Sequence, residues 1–304
     1  MSNSPVKNVA PRHAESWLSP IPIFFVFLWS TGFVVAKFGL PYAPPLTFIL
    51  LRCALVVAVL IPWIVLARIA WPKGSVLHLA VAGLLLQAGY LAGVWCAIKI
   101  GMPAGLSALI VGMQPILTAA AAPLIGESVR RVQWYGLALG LAGVALVVYS
   151  KLNLAGLTPL AIGYCLFALA SITAGTMYQR RFCPSFDLRT GTAIQFGATV
   201  AVMLPLAIWL EHLDPAFSTV KWTPEFVGAL LWSVFALSIG AIFLLFKLIR
   251  RSEATSVTSL MYLTPPTTAV MAYFVFGESL GIAGVLGMLV AVAGVALVVK
   301  KQEK

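Results

Sequence analysis

Carboxylates are scarce in this sequence, and none lies deep in an apolar run. The 304 residues hold nine acidic ones: Glu15, Glu127, Asp187, Glu211, Asp214, Glu225, Glu253, Glu278 and Glu303. All fall between hydrophobic stretches or at their ends, as do His13, His78 and His212. A proton-driven carrier normally buries an acid or histidine as its relay. An intramembrane protease needs paired aspartates or a Ser/His pair at depth. Neither arrangement is available, so covalent catalysis and a buried proton relay are both disfavoured. The four cysteines, Cys53, Cys96, Cys165 and Cys183, form no CxxC pair, which points to free thiols rather than a disulfide framework or a zinc site. No metal or cofactor is implied. Basic residues are not interleaved with aromatics as a nucleic-acid groove requires, so nucleic acid is not an expected partner.

Charge of any sign is also low, at 10% of residues, against about 25% in soluble domains. What fills the chain instead is apolar: 61% of it is hydrophobic, with a mean hydropathy of +0.99. Lipid must cover that surface. Stretches long enough to cross a bilayer occur at 21–40, 45–66, 76–98, 104–125, 132–150, 157–179, 189–210, 224–247, 254–276 and 281–299. The fold class expected is therefore all-α integral membrane, with ten transmembrane helices. The first stretch lacks a convincing small-residue cleavage site and is read as a span, not a signal peptide. Arg68 with Lys73, Arg130 with Arg131, Arg180 with Arg181, and Arg250 with Arg251 mark alternate turns, whereas the opposite turns carry only Lys99, Lys151 and Lys221. By the positive-inside rule both termini are cytoplasmic, in a multi-pass protein of the cell (inner or plasma) membrane.

The chain also repeats itself. "AGVALVV" occurs at Ala142–Val148 and again at Ala293–Val299, a separation of 151 residues. The same separation links Leu109 to Leu260, Pro115 to Pro266, Gly126-Glu127-Ser128 to Gly277-Glu278-Ser279, and Gly136 to Gly287. One separation across several landmarks indicates duplication. Five spans per copy is odd, so the second copy enters the membrane from the other side. Charges agree: Arg130 and Arg131 follow the first "GES", while Leu280-Gly281-Ile282 follows the second. The expected organisation is a cytoplasmic segment 1–20, a first five-helix repeat 21–150, a second, inverted five-helix repeat 157–299, and a cytoplasmic tail 300–304.

This pattern resembles the drug/metabolite transporter superfamily, in its EamA-type branch. The residues that carry the likeness are "FLWSTGFVVAKFGL" at Phe27–Leu40, Pro45 followed by Arg52, and Pro115 with Gly126-Glu127. In the second half they are Pro266 with Gly277-Glu278, and "GMLVAVAGVALVV" at Gly287–Val299 beside "GLALGLAGVALVV" at Gly136–Val148. Two features depart from it: Ser30-Thr31 stands where glycine is usual, and the second-half proline is doubled as Pro265-Pro266. Within the branch the composition is most similar to YddG-type exporters of aromatic amino acids. The resemblance implies a secondary transporter working by alternating access.

Residues for a substrate are sought at mid-depth. Trp29, Gln87, Tyr90, Gln114, Ser171, Gln195, Thr258 and Tyr262 fall near the middle of their spans, with Trp95, Tyr164 and Trp232 nearer the outside. Aromatics beside amides suit a ligand with a flat apolar body and a polar head. Each taken singly also reads as an interhelical hydrogen bond. Two cations are embedded. For both, the functional reading is an anchor for a substrate carboxylate; Lys37 is as well suited to that as to snorkelling, and Arg52, roughly 10 Å into its span, is read first as a tie to loop carbonyls or helix ends in the same half, with the carboxylate anchor as the alternative. Glu127 and Glu278 are read as acids behind a glycine C-cap, near the N-terminus of the following helix. Pro115, Pro265 and Pro266 are expected to break their helices near the midplane and to act as hinges, more strongly in the second half.

The function expected is export of small amphipathic metabolites, aromatic or hydrophobic amino acids first, by facilitated diffusion or exchange. The alternatives are a proton-coupled multidrug or other metabolite permease, then a membrane enzyme or scaffold. The expected partners are a small-molecule substrate and the lipid bilayer. The glycine-rich spans five and ten are read as scaffold or as a homodimer contact.

Overall fold

The computed structural model describes residues 20–121, 131–152, 157–183, 185–241, 244, 263–278 and 281–300. In chain order the helices are α1 (Pro20–Gly39), α2 (Pro45–Leu66), α3 (Val76–Lys99), α4 (Ala104–Val111), α5 (Gln114–Ala121), α6 (Arg131–Leu152), α7 (Pro159–Phe182), α8 (Leu188–Glu211), α9 (Pro224–Gly240), α10 (Thr264–Phe276) and α11 (Gly281–Lys300). No strand occurs among the described residues. Four of these helices, α2, α3, α7 and α8, are each long and apolar enough to cross a membrane, and shorter apolar helices accompany them. At 1.5 Å per residue a 22-residue helix is about 33 Å long, the thickness of a hydrocarbon core.

Proline and short polar side chains fix where the helices begin. Pro45, Pro159 and Pro224 each open a helix, a position whose amide would have no intrahelical acceptor anyway. The hydroxyls of Thr158 and Thr223 accept from Ala161 N and Phe226 N, both at 3.3 Å. Asp187 caps α8, accepting from Arg189 N at 2.9 Å. The Arg189 guanidinium also pairs with that carboxylate and holds it below the usual carboxylate range.

The same logic applies to the mid-chain prolines. α4 ends at Val111, Gly112 and Met113 make a turn, and α5 starts at Gln114 with Pro115 as its second residue. Pro265 and Pro266 are the second and third residues of α10. All three stand in a first turn, where a missing N–H breaks no bond; the turn at Gly112 and Met113, just before Pro115, divides 104–121 into two helices. Residues 245–262 lie outside the described residues, and with them the expected difference in bending between the two halves.

The helices pair in a regular way: α2 along α8, α3 along α7, α4 along α10, α6 along α11, with α1 between α9 and α10. α6 and α11 approach through their small residues. A Cβ on Gly143 would lie 2.5 Å from Gly287 O and 2.8 Å from Ala291 Cα, and one on Gly294 would lie 2.5 Å from Gly140 N. The glycine faces of these two helices are thus occupied by one another, which fits the scaffold reading.

Where α2 begins, the bundle is sealed. Phe48 packs edge-on against Trp95 and Phe226, with ring centroids 4.4 and 5.1 Å away. Glu211, the last residue of α8, accepts from Leu46 N, Thr47 N and the Thr47 hydroxyl, each at 2.8 Å. Glu278 follows Gly277, which ends α10 in the left-handed conformation (φ 66°). Its carboxylate reaches the start of α4 and the lysine of α1. It accepts from Ala104 N at 3.1 Å and Gly105 N at 3.4 Å at the start of α4, and pairs with Lys37 of α1. The donors are again the orphan amides of a helix start, but of a helix distant in sequence. Glu127 lies outside the described residues.

Candidate functional site

Two helices depart locally from α geometry, and both departures face the same cavity. Leu84–Gly89 of α3 and Trp232–Gly240 of α9 are π-helical, a conformation found mostly as short bulges at functional sites. In the first, the Leu85 carbonyl accepts from the Ser171 hydroxyl of α7 at 2.8 Å, and the turn carries Gln87 and leads into Tyr90. In the second, the Ser238 hydroxyl donates to Ser233 O at 2.9 Å, five residues back.

The cavity, about 410 Å³, lies among α1, α2, α3, α5, α7, α8 and α9. That volume is within the ~300–1,000 Å³ of small-ligand sites. Trp29, Phe33, Leu91, Trp95, Ile172 and Phe196 give it broad apolar walls. Polar groups enter at intervals: Arg52, Gln87, Tyr90, Gln114, Thr176, Gln179, Gln195 and Ser238. Trp95 and Arg52 lie toward the sealed end, seven residues into α2 in the case of Arg52. Phe186 and Leu188, at the start of α8, line it at the other end.

Several of these groups are already committed. Gln195 Nε2 donates to Gln179 Oε1 at 2.7 Å, joining α8 to α7. Gln114 Nε2 donates to the Thr176 hydroxyl at 2.8 Å, and that hydroxyl donates to Ile172 O. Gln87 and Tyr90 have no hydrogen-bond partner among the described residues, which leaves an amide and a phenol free for a ligand. Arg52 donates from Nε to Ser238 Oγ at 3.0 Å, with its guanidinium carbon 6.0 Å from the Trp95 ring centroid.

Six of the residues singled out in the sequence, Trp29, Gln87, Tyr90, Trp95, Gln114 and Gln195, are brought together here. Others are placed elsewhere. Lys37 is engaged by Glu278 and lies 4.7 Å from the centroid of the Phe276 ring. Ser171 serves the α3 carbonyl, and Tyr164 packs in the second apolar core, with Met102, Leu106 and Cys165. Trp232 is 43% exposed on the outside of the bundle, where its Nε1 donates to the Thr31 hydroxyl at 2.9 Å. Pro115, Pro265 and Pro266 do not line the cavity. Thr258 and Tyr262 lie outside the described residues. Arg52, for which a substrate carboxylate was the alternative to a structural tie, also lines it, and Thr176, Gln179 and Ser238 line it without having been expected to; the alignment of Thr176 and Gln179 three apart on α7 was the available signal.

The sequence model of the EamA-like transporter family matches residues 21–149 and again 160–300. An uncharacterized transporter of Bacillus subtilis (strain 168), YvbV, is 30% identical over 289 residues, covering 92% of this chain and 90% of its own. A probable amino-acid metabolite efflux pump of Salmonella typhimurium is 27% identical over 281 residues, covering 90% and 92%. A protein of known crystal structure shares the fold, with a TM-score of 0.64 over 93% of this chain and 98% of its own, at 21% identity.

Proposed function

The chain belongs to the EamA-like transporter family of the drug/metabolite transporter superfamily, and from that premise we propose that it exports small amphipathic metabolites, aromatic or hydrophobic amino acids first, by alternating access. It is a multi-pass transporter of the inner membrane and not an enzyme. The single observation that carries the substrate reading is the cavity wall: broad aromatic and aliphatic faces with a free amide and phenol, Gln87 and Tyr90, set between them. A ligand with a flat apolar body and a polar head matches both halves of that lining. The amino-acid metabolite efflux pump among the relatives supports the same class.

The architecture proposed for this work is ten spans in two inverted five-helix repeats, 21–150 and 157–299, with both termini cytoplasmic. Three findings support it. The family match falls in two successive segments. The π-helical turns Leu84–Gly89 and Trp232–Gly240 overlap when shifted by the repeat length of 151 residues. The pairs α2/α8, α4/α10 and α6/α11 each join a span to its counterpart in the other copy. With that topology the sealed end faces outward and the cavity admits substrate from the cytoplasmic side, the orientation an exporter needs before loading. The driving force in this reading is the substrate gradient, because among the described residues no carboxylate or histidine lines the cavity.

The test is uptake of radiolabelled tryptophan and phenylalanine into proteoliposomes. Saturable flux without a pH gradient is expected, and Tyr90→Ala is expected to depress it in a protein that still folds. Flux that appears only with an imposed proton gradient would overturn the uncoupled mechanism; normal flux in both Gln87→Ala and Tyr90→Ala would move the site elsewhere.

A further inference from the structure

Arg52 is a full positive charge, 8% exposed, about 10 Å from the start of its helix. A guanidinium in that position is costly unless an anion or a set of acceptors meets it. Among the described residues it has no carboxylate partner: the ion pairs there join Lys37 to Glu278 and Arg189 to Asp187. Its hydrogen bond goes to a neutral hydroxyl through Nε alone. The two terminal amino groups, the edge that binds a carboxylate bidentately, meet no protein acceptor among the described residues, and the side chain forms part of the cavity wall.

The surroundings hold that edge in place. Ser238 commits its own proton to Ser233 O, so only its lone pairs are available to Arg52 Nε. This is a consequence of the π-helical turn, in which the hydroxyl reaches a carbonyl five residues back. Trp95 lies beside the guanidinium carbon at 6.0 Å from its ring centroid, within the range of a cation–π contact. Phe48 supports Trp95 from behind. Orientation is thus fixed on one edge and one face, and the remaining edge is left for a ligand.

We infer that Arg52 is the anchor for the carboxylate of the substrate, with Ser238 as its positioning residue, and that the transporter therefore selects carboxylic acids over the corresponding carboxamides. This rests on the reading above that the cavity receives an amino acid, and adds which end of it the protein recognises. The substrate's carboxylate supplies the counter-charge that is absent among the described residues, so the guanidinium is paired only when the site is loaded. The apolar side chain then lies along Trp29, Phe33 and Phe196, toward the open part of the cavity.

The experiment is proteoliposome flux with three matched pairs: tryptophan and tryptophanamide, leucine and leucinamide, lactate and lactamide. Wild-type protein is expected to favour the acid of each transported pair. Arg52→Gln is expected to raise KM for the acids roughly 10- to 100-fold, the loss expected of a hydrogen-bonded charge, while leaving the amides unchanged. Arg52→Lys restores part of the discrimination. Ser238→Ala raises KM for the acids by a smaller factor at unchanged kcat, which a merely structural residue would not do. Arg52→Gln protein that is monodisperse and moves acids with wild-type KM overturns the assignment. So does a variant that loses acids and amides equally. Wild-type protein that favours leucine or lactate over its amide but moves no tryptophan keeps the anchor and overturns the aromatic substrate.

Discussion

Replacing Gly143 by alanine adds one methyl group to a helix and should nevertheless lower the stability of the whole bundle. The new Cβ would sit 2.5 Å from Gly287 O and 2.8 Å from Ala291 Cα, where ordinary contact begins near 3.4 Å. Both obstacles are backbone, so no side chain can swing aside. α6 and α11 must part by roughly 1 Å, and an overpacked contact of this kind costs about 1–3 kcal/mol. For a chain of this size a kilocalorie corresponds to roughly 2–4 °C, which puts the drop in Tm at about 2–12 °C. Gly163→Ala is the matched control: nothing lies within 4 Å of its Cβ, and alanine gains up to about 1 kcal/mol in helix propensity. The assay is thermal unfolding in detergent read by a thiol-reactive dye, since Cys53 and Cys165 are fully buried and react only on opening. The two variants should move in opposite directions. A Gly143→Ala protein that melts with or above wild type would refute the close-packed pairing of these helices.

Three further outcomes follow from the same structure. Lys37→Met and Glu278→Gln should each destabilise the sealed end by about 1–3 kcal/mol, and a double-mutant cycle on Tm should show a coupling that independent sites lack. Asp187→Ala removes the α8 cap and should cost about 1 kcal/mol, with little added by the exposed pair to Arg189. Because Arg189 depresses the Asp187 pKa, that contribution is present above the free carboxyl pKa of about 4 and is lost as pH falls through the lower folded value; the melting gap between wild type and variant should close there. Gln179→Ala should weaken transport through loss of its bond to Gln195, measured as lower tryptophan flux at unchanged Tm.

How much of this was written in the sequence depends on the range over which each signal acts. The all-helical class and the long apolar helices α2, α3, α7 and α8 were legible because they follow from a local fact, a run of apolar residues. The polar set at mid-depth was partly legible, since Gln87 and Tyr90 share a face by spacing alone. Gln179 was hidden by its place at the end of a span, where an amide ordinarily meets water, and its use depends on α8 bringing Gln195 alongside. The π-helical turn of "LLLQAG" has no composition that marks it. Lys37 stood evenly between two readings because its partner, Glu278, is 241 residues away. Arg52 stood between a tie within its own half and an anchor for a substrate carboxylate; Ser238, from the other half, ties it by one edge only.

The junction made by Glu278 also orders events during synthesis. Its carboxylate meets Lys37 and the first amides of α4, and those groups leave the ribosome long before it does. At about 5–20 residues per second, the 174 residues that separate Ala104 from Glu278 take roughly 10–35 s to make. During that interval the lysine has no anion from this junction and the α4 amides lack their acceptor. The early helices therefore wait in the bilayer with an unfinished end, a state that a chaperone or membrane protease can distinguish from the completed protein. A nascent chain arrested before α10 should be cleared faster than one arrested just after Glu278, although the two differ by only about one helix.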